Sequence, residues 1–183
     1  MIKNIYLSLA ISIGVLAGVL TALCYGLPAL GIGAVENVFP FVVPPAFIAW
    51  ALYFAHGQGK TSFWKTGVCN TIGVIVAVII TIINALLMGL GLPVWAGLGI
   101  AVIIGGGWMT FEATWNKVDY VPAAFCGAAT TFALGWAGAF ETNWGLIAVI
   151  IIAFWVGCVC AYASDKWGAA MMVKQDTPAD KAE

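Results

Sequence analysis

The 183 residues are 63% hydrophobic and 8% charged, with a formal net charge of −1, whereas soluble domains carry about 25% charged residues. Such a balance excludes a separate soluble domain, offers no basic face for nucleic acid, and describes an all-α integral membrane protein. Cys24, Cys69, Cys126, Cys158 and Cys160 lie in or beside apolar segments without a Cys-x-x-Cys, and read as buried thiols rather than a disulfide framework or metal site.

After Lys3 an apolar run extends from Ile5 to about Leu27. A signal peptide would have a shorter apolar core and a small-x-small cleavage site, and Leu23 before Cys24 does not suit lipoprotein processing, so this run is expected to remain as a first helix. Further apolar segments cover about Val38–Ala55, Thr66–Met88, Val94–Phe111, Val121–Gly138 and Trp144–Ala163. Since about 20 residues cross a bilayer core, they predict six transmembrane helices within residues 1–167. Residues 168–183, with Lys174, Asp176, Pro178, Asp180 and Lys181, read as a short polar cytoplasmic tail.

The seven basic residues are all lysines. With both termini inside, Lys3, Lys60, Lys65, Lys117, Lys166, Lys174 and Lys181 all fall on the cytoplasmic side, while the outer loops carry Glu36 and Glu141. Positive residues concentrate inside in this way in bacterial inner-membrane proteins. Trp64, Trp115 and Trp167 fall at the inner interface and Trp95, Trp136 and Trp144 at the outer one, leaving Trp50, Trp108 and Trp155 at mid-depth.

Val43-Pro44-Pro45-Ala46-Phe47, continuing to Phe54-Ala55-His56-Gly57, recurs as Val121-Pro122-Ala123-Ala124-Phe125, continuing to Phe132-Ala133-Leu134-Gly135, with eight of fifteen positions identical. The copies fall on the second and fifth helices, three spans apart, so one enters from each side of the membrane. That predicts a 3+3 inverted repeat, with halves of about 4–90 and 91–167, an arrangement on which many transporters build a midplane pathway. Pro44 and Pro122 fit the first turn of a helix, where a missing N–H leaves nothing unpaired. Prolines also occur in ordinary membrane helices.

Small residues recur at every fourth position: Ala10, Gly14, Gly18, Ala22 and Gly26 on the first helix, Gly73, Ala77, Thr81, Ala85 and Gly89 on the third, Ala123, Gly127, Thr131, Gly135 and Ala139 on the fifth, and Ala153, Gly157 and Ala161 on the sixth. These stripes serve close packing within the bundle or homo-oligomerisation. Gly105-Gly106-Gly107 is read as packing or a kink, because no strand precedes it and no Lys-Ser or Lys-Thr follows.

Glu112 and His56 sit at the inner ends of the fourth and second helices. They are interfacial side chains, Glu112 paired with Lys117 or water, or else a gate or proton-handling pair. Pro44, Phe47, Trp50, Tyr53, Asn70, Asn84, Pro122, Phe125, Thr130 and Thr131 are the pathway candidates, Thr71 adding a further hydroxyl. No buried lysine stands ready to hold an anion and no carboxylate cluster a divalent ion, so a small neutral solute suits this lining. No catalytic motif, cofactor site or metal site is evident. Two functions therefore stand: a channel or facilitator for a small neutral solute, and a structural or assembly protein that binds other membrane helices.

Phe47, Tyr53-Phe54-Ala55, Gln58-Gly59, Val121-Pro122, Phe125, Gly127-Ala128 and Thr131-Phe132-Ala133 resemble the pattern of the YcdZ-type bacterial inner-membrane proteins, a domain-of-unknown-function family. The resemblance runs from the first helix to the sixth and departs at Pro44-Pro45 and His56. It implies a small multi-spanning protein of the bacterial inner membrane and brings no activity or site residues with it.

Overall fold

The computed structural model describes residues 4–29, 41–136 and 143–172. Lys3, Glu36, Gly138, Ala139, Glu141 and the tail beyond Met172 lie outside these ranges. The described residues form six α-helices: α1 Ile5–Ala29, α2 Val43–Ala55, α3 Gly59–Gly89, α4 Val94–Phe111, α5 Val121–Trp136 and α6 Leu146–Met171. Four of these, α1, α3, α6 and α4 with the 3₁₀ turn Glu112–Thr114 that continues it, are long and apolar enough to cross a membrane. The protein is thus an all-helical, membrane-embedded one. Side chains such as Val19, Ile103 and Ile152 point outward from these helices, as a lipid-facing surface allows.

α2 and α5 are shorter, with 13 and 16 residues, or about 20 and 24 Å at 1.5 Å per residue, against a hydrocarbon core of about 30 Å. Pro44 and Pro45 occupy the first turn of α2, where their missing N–H groups cost no hydrogen bond. α3 begins at Gly59, a turn and more before Thr66, and α6 continues past Ala163 through Gly168 to Met171. The stretch read as tail therefore begins as helix.

α3 packs most extensively on α5, and α2 on α6; α4 lies beside α3, α1 beside α6, and α3 and α6 also touch. Glycine permits the closest crossings. A methyl group on Gly73 would overlap the Ala124 carbonyl, one on Gly127 the Asn70 carbonyl, and one on Gly157 the Ala46 carbonyl. Lipid tails are as apolar as the helices, so such close backbone approach, with its dispersion contacts, holds the bundle together. Gly73 and Ala77 of the α3 stripe, Ala123, Gly127 and Thr131 of the α5 stripe and Ala153, Gly157 and Ala161 of α6 are buried in this packing, whereas Thr81, Ala85 and Gly89, further along α3, are exposed. On α1, by contrast, Ala10, Gly14, Gly18 and Ala22 are exposed, and nothing lies within 4 Å of a methyl built on Gly14 or Gly18.

Candidate functional site at the lysine-bearing end

Three sets of contacts bring the end of α2, the starts of α3 and α5, and the last turns of α6 to one end of the bundle. The α2–α3 turn has three successive positive φ angles, at Gly57 (+105°), Gln58 (+68°) and Gly59 (+79°). Two glycines make that path accessible, while Gln58 is strained there. Tyr53, fully buried, fixes the turn: its hydroxyl accepts from the Gly59 N–H at 2.8 Å and donates to Asp165 of α6 at 2.8 Å. Its carbonyl accepts from Ser62 Oγ at 2.6 Å. One turn earlier Trp50 Nε1 donates to Ser164 Oγ at 3.1 Å. Trp50 and Tyr53 thus tie α2 to α6 and to the start of α3.

Around the start of α5, Lys65 Nζ lies 2.6 Å from Asp119 Oδ1. Its hydrogen bond holds the Asp119 carboxyl below the usual carboxylate range. The His56 and Tyr120 rings meet at 4.5 Å, and Tyr120 Oη donates to the Leu52 carbonyl at 3.1 Å. Burial pushes the Tyr120 phenol up. His56 is also within electrostatic range of Asp119.

Deeper in, Glu112 is 1% exposed, and neither carboxylate oxygen has a hydrogen-bond partner. The expected pairings with His56 or Lys117 are therefore not made; Asp119, rather than Glu112, is the acid beside His56. Met109, three residues before Glu112, packs in the cluster that holds Cys69, and Cys69 lies within electrostatic range of Glu112, Asp119 and Lys65. On the same stretch of α3, Thr66 and Asn70 are fully buried, and Asn70 Nδ2 donates to the Thr66 carbonyl at 2.9 Å. Thr66 Oγ1 and Asn70 Oδ1 have no partner. Near Glu112 and along this stretch of α3, the interior thus holds several oxygens that lack a donor. Leaving a buried polar group unmatched costs about 1–3 kcal/mol, and more for a charge.

The other pathway candidates do not join them. Thr130 and Thr131 donate to the Cys126 and Gly127 carbonyls of their own helix at 2.7 and 2.9 Å, and Thr71 to Gly67 at 2.8 Å. Asn84 Oδ1 is unpartnered and faces Gly97, but it stands fourteen residues beyond Asn70, about 20 Å along the axis of α3. Pro44 and Pro122 are exposed, as are Phe47 (42%) and Phe125 (45%), on the perimeter of the bundle. A cavity of about 400 Å³ between α3 and α4 is lined by apolar groups, among them Val76, Ile83, Ile104 and Trp108. A second, of about 320 Å³, is lined by Lys60, Phe63, Trp64 and Tyr162. None of the pathway candidates lines either one. Sequence reasoning missed Lys65, Thr66, Asp119 and Asp165, although the four-residue spacing of Thr66 and Asn70 was a legible sign of a shared helix face. Among the described residues no group of three or more His, Cys, Asp or Glu side chains forms a metal-ligand set, and the cysteines are free.

A family model described as "Protein of unknown function (DUF1097)" matches residues 10–169. No curated protein and no solved structure matches the chain.

Proposed function

The chain belongs to this DUF1097 family, and on that premise we propose that it is a non-enzymatic facilitator or transporter of the bacterial cytoplasmic membrane, of the YcdZ type. In this reading six helices span the bilayer with both termini inside, and the two halves form an inverted repeat. Lys60, Lys65, Lys117 and Lys166 at one end of the bundle support that orientation. The repeat is supported by equivalent packing: Ala46 and Ala124, aligned by the sequence recurrence, each set a carbonyl against a glycine of the other half, Gly157 and Gly73.

The observation that carries a transport role is Glu112, buried with both oxygens unpartnered. A buried acid in this state needs a donor, either its own proton or the N–H or O–H of a solute. With Thr66 Oγ1 and Asn70 Oδ1 also unpartnered on the stretch of α3 that carries Cys69, the solute that suits this interior is small, uncharged and rich in hydrogen-bond donors, such as a urea or short amide. Apolar packing around the site implies a path that opens by helix movement rather than a preformed pore. Proteoliposome swelling with urea, glycerol, short amides, ammonia and a charged control tests this. Fast entry of one neutral solute, reduced in Glu112→Gln, is expected; entry no faster than in empty liposomes for every solute would overturn it.

A second reading, a structural protein that binds other membrane helices, is favoured by the exposed small residues Ala10, Gly14, Gly18 and Ala22 on α1. It predicts self-association or capture of a membrane partner through α1, with no solute flux.

A further inference from the structure

The smaller cavity has a chemistry that the transport reading does not use. Lys60, Phe63 and Trp64 come from the first turns of α3 and Tyr162 from α6. Its walls are locked by edge-to-face ring contacts, Phe63 on Trp64 at 5.4 Å, Phe63 on Tyr162 at 5.9 Å and Trp64 on Trp155 at 5.6 Å. Trp155 is itself anchored, donating from Nε1 to Thr71 Oγ1 at 3.2 Å. One ammonium group, that of Lys60, lines the groove, and a second, that of Lys166, lies over a ring that lines it. Lys60 is exposed, and no ion pair or hydrogen bond engages it among the described residues. Lys166 Nζ is held 5.3 Å from the centroid of the Tyr162 ring, which fixes the second charge at the rim. No carboxylate lines the groove. The neighbouring acid, Asp165, is engaged by the Tyr53 hydroxyl.

We propose that this groove binds the headgroup of an anionic phospholipid, its phosphate between Lys60 and Lys166 and the upper part of one acyl chain along Trp64. Charge complementarity selects an anion, and the position selects a lipid: the groove opens at the lysine-bearing end of a membrane-embedded bundle, where headgroups lie, and its floor is aromatic. A free phosphate has no use for such a floor, whereas a lipid brings both the charge and the chain. Basic pockets between membrane helices near the headgroup plane bind anionic lipids in this way. The proposal depends on membrane embedding and not on transport, so it stands or falls apart from solute flux.

The test is tryptophan quenching in bilayers of phosphatidylcholine doped with brominated phosphatidylglycerol or brominated phosphatidylcholine, using the full chain. The component that Trp64→Phe removes reports the groove. Wild type is expected to favour the anionic lipid roughly thirtyfold, the size of effect that two lysines at an anionic surface supply. Lys60→Gln with Lys166→Gln is expected to abolish the preference, and Lys117→Gln, a lysine at the same end but outside the groove, to retain it. Equal quenching by the two lipids in wild type, or equal losses in all lysine variants, would overturn the site. Displacement of the quenching by millimolar inorganic phosphate would show a free-anion site and overturn the lipid assignment. Should Trp64→Phe misfold, native mass spectrometry of wild type and the double lysine variant counts retained phosphatidylglycerol directly, with the same expected loss.

Discussion

Gly73 of α3 lies so close to the Ala124 carbonyl of α5 that a methyl group there would overlap it, and the same holds between Gly157 of α6 and the Ala46 carbonyl of α2. Backbone cannot yield as the end of a flexible side chain can, so Gly73→Ala and Gly157→Ala must separate the helices. Each is expected to cost about 1–3 kcal/mol. Thermal unfolding in detergent, followed by loss of the monodisperse gel-filtration peak, measures it. Gly14→Ala and Gly18→Ala, at positions with open space, should leave the transition unchanged. A comparable loss at Gly14 would mean that α1 has a close partner in the assembled protein.

Tyr53→Phe removes one hydroxyl that serves both the Gly59 N–H and Asp165. Loss of a buried hydroxyl with two partners is expected to cost about 1–3 kcal/mol, with the α2–α3 turn loosened first. Thr131→Val removes a hydroxyl bonded only to its own helix at Gly127, and should cost much less. The two variants, compared in one unfolding series, separate a cross-helix tie from a local one. A larger loss for Thr131→Val would show that this hydroxyl has a partner in the folded protein beyond Gly127.

Where the two ends of the chain's polarity scale meet, the sequence was a partial guide. Hydropathy located the lipid-buried parts of the helices but not their ends, because α3 and α6 continue as helix through Lys60 and Lys65 or through Lys166, where the chain has left the apolar core. Phe47 and Phe125 recur in the repeat, and both copies lie on the outside of the bundle. The buried face of α2 is marked instead by Ala46, Ala49, Trp50 and Tyr53, at three- and four-residue spacing. Glu112 could be singled out as an acid in an apolar helix. That the neighbours of His56 would be Tyr120 and Asp119 instead could not, since both come from the turn before α5 and meet it only in the folded bundle.

The Lys65–Asp119 pair predicts an acid-sensitive contribution to stability. With Lys65 holding the Asp119 carboxyl below its ordinary value, the folded state binds that proton less readily than the unfolded chain, whose aspartates titrate near 3.9. The stabilisation is therefore complete above that value and is lost as pH falls through the lower folded one. Melting temperatures of wild type and Asp119→Asn should differ by a constant amount from about pH 7 to pH 5 and converge towards about pH 3. A difference that persists unchanged at the acid end would show that Asp119 acts through something other than its charge.

Glu112 separates stability from function. Replacing an unpartnered buried acid by an apolar side chain of similar size removes the cost of leaving a buried polar group unsatisfied, about 1–3 kcal/mol and more for a charge. Glu112→Leu should therefore melt at the same temperature as wild type or higher, while Glu112→Gln, which brings its own donors, should change stability little. If Glu112 serves solute movement, flux should be lost in Glu112→Leu and reduced in Glu112→Gln despite folding well, because leucine offers a donor-rich solute no acceptor and glutamine one amide oxygen in place of two carboxylate oxygens. The pairing of retained stability with lost flux is what distinguishes a functional acid from a packing one. A sharp drop in the melting temperature of Glu112→Leu would instead show that the carboxyl has a structural partner in the folded protein, and the case for a solute site at this acid would fail.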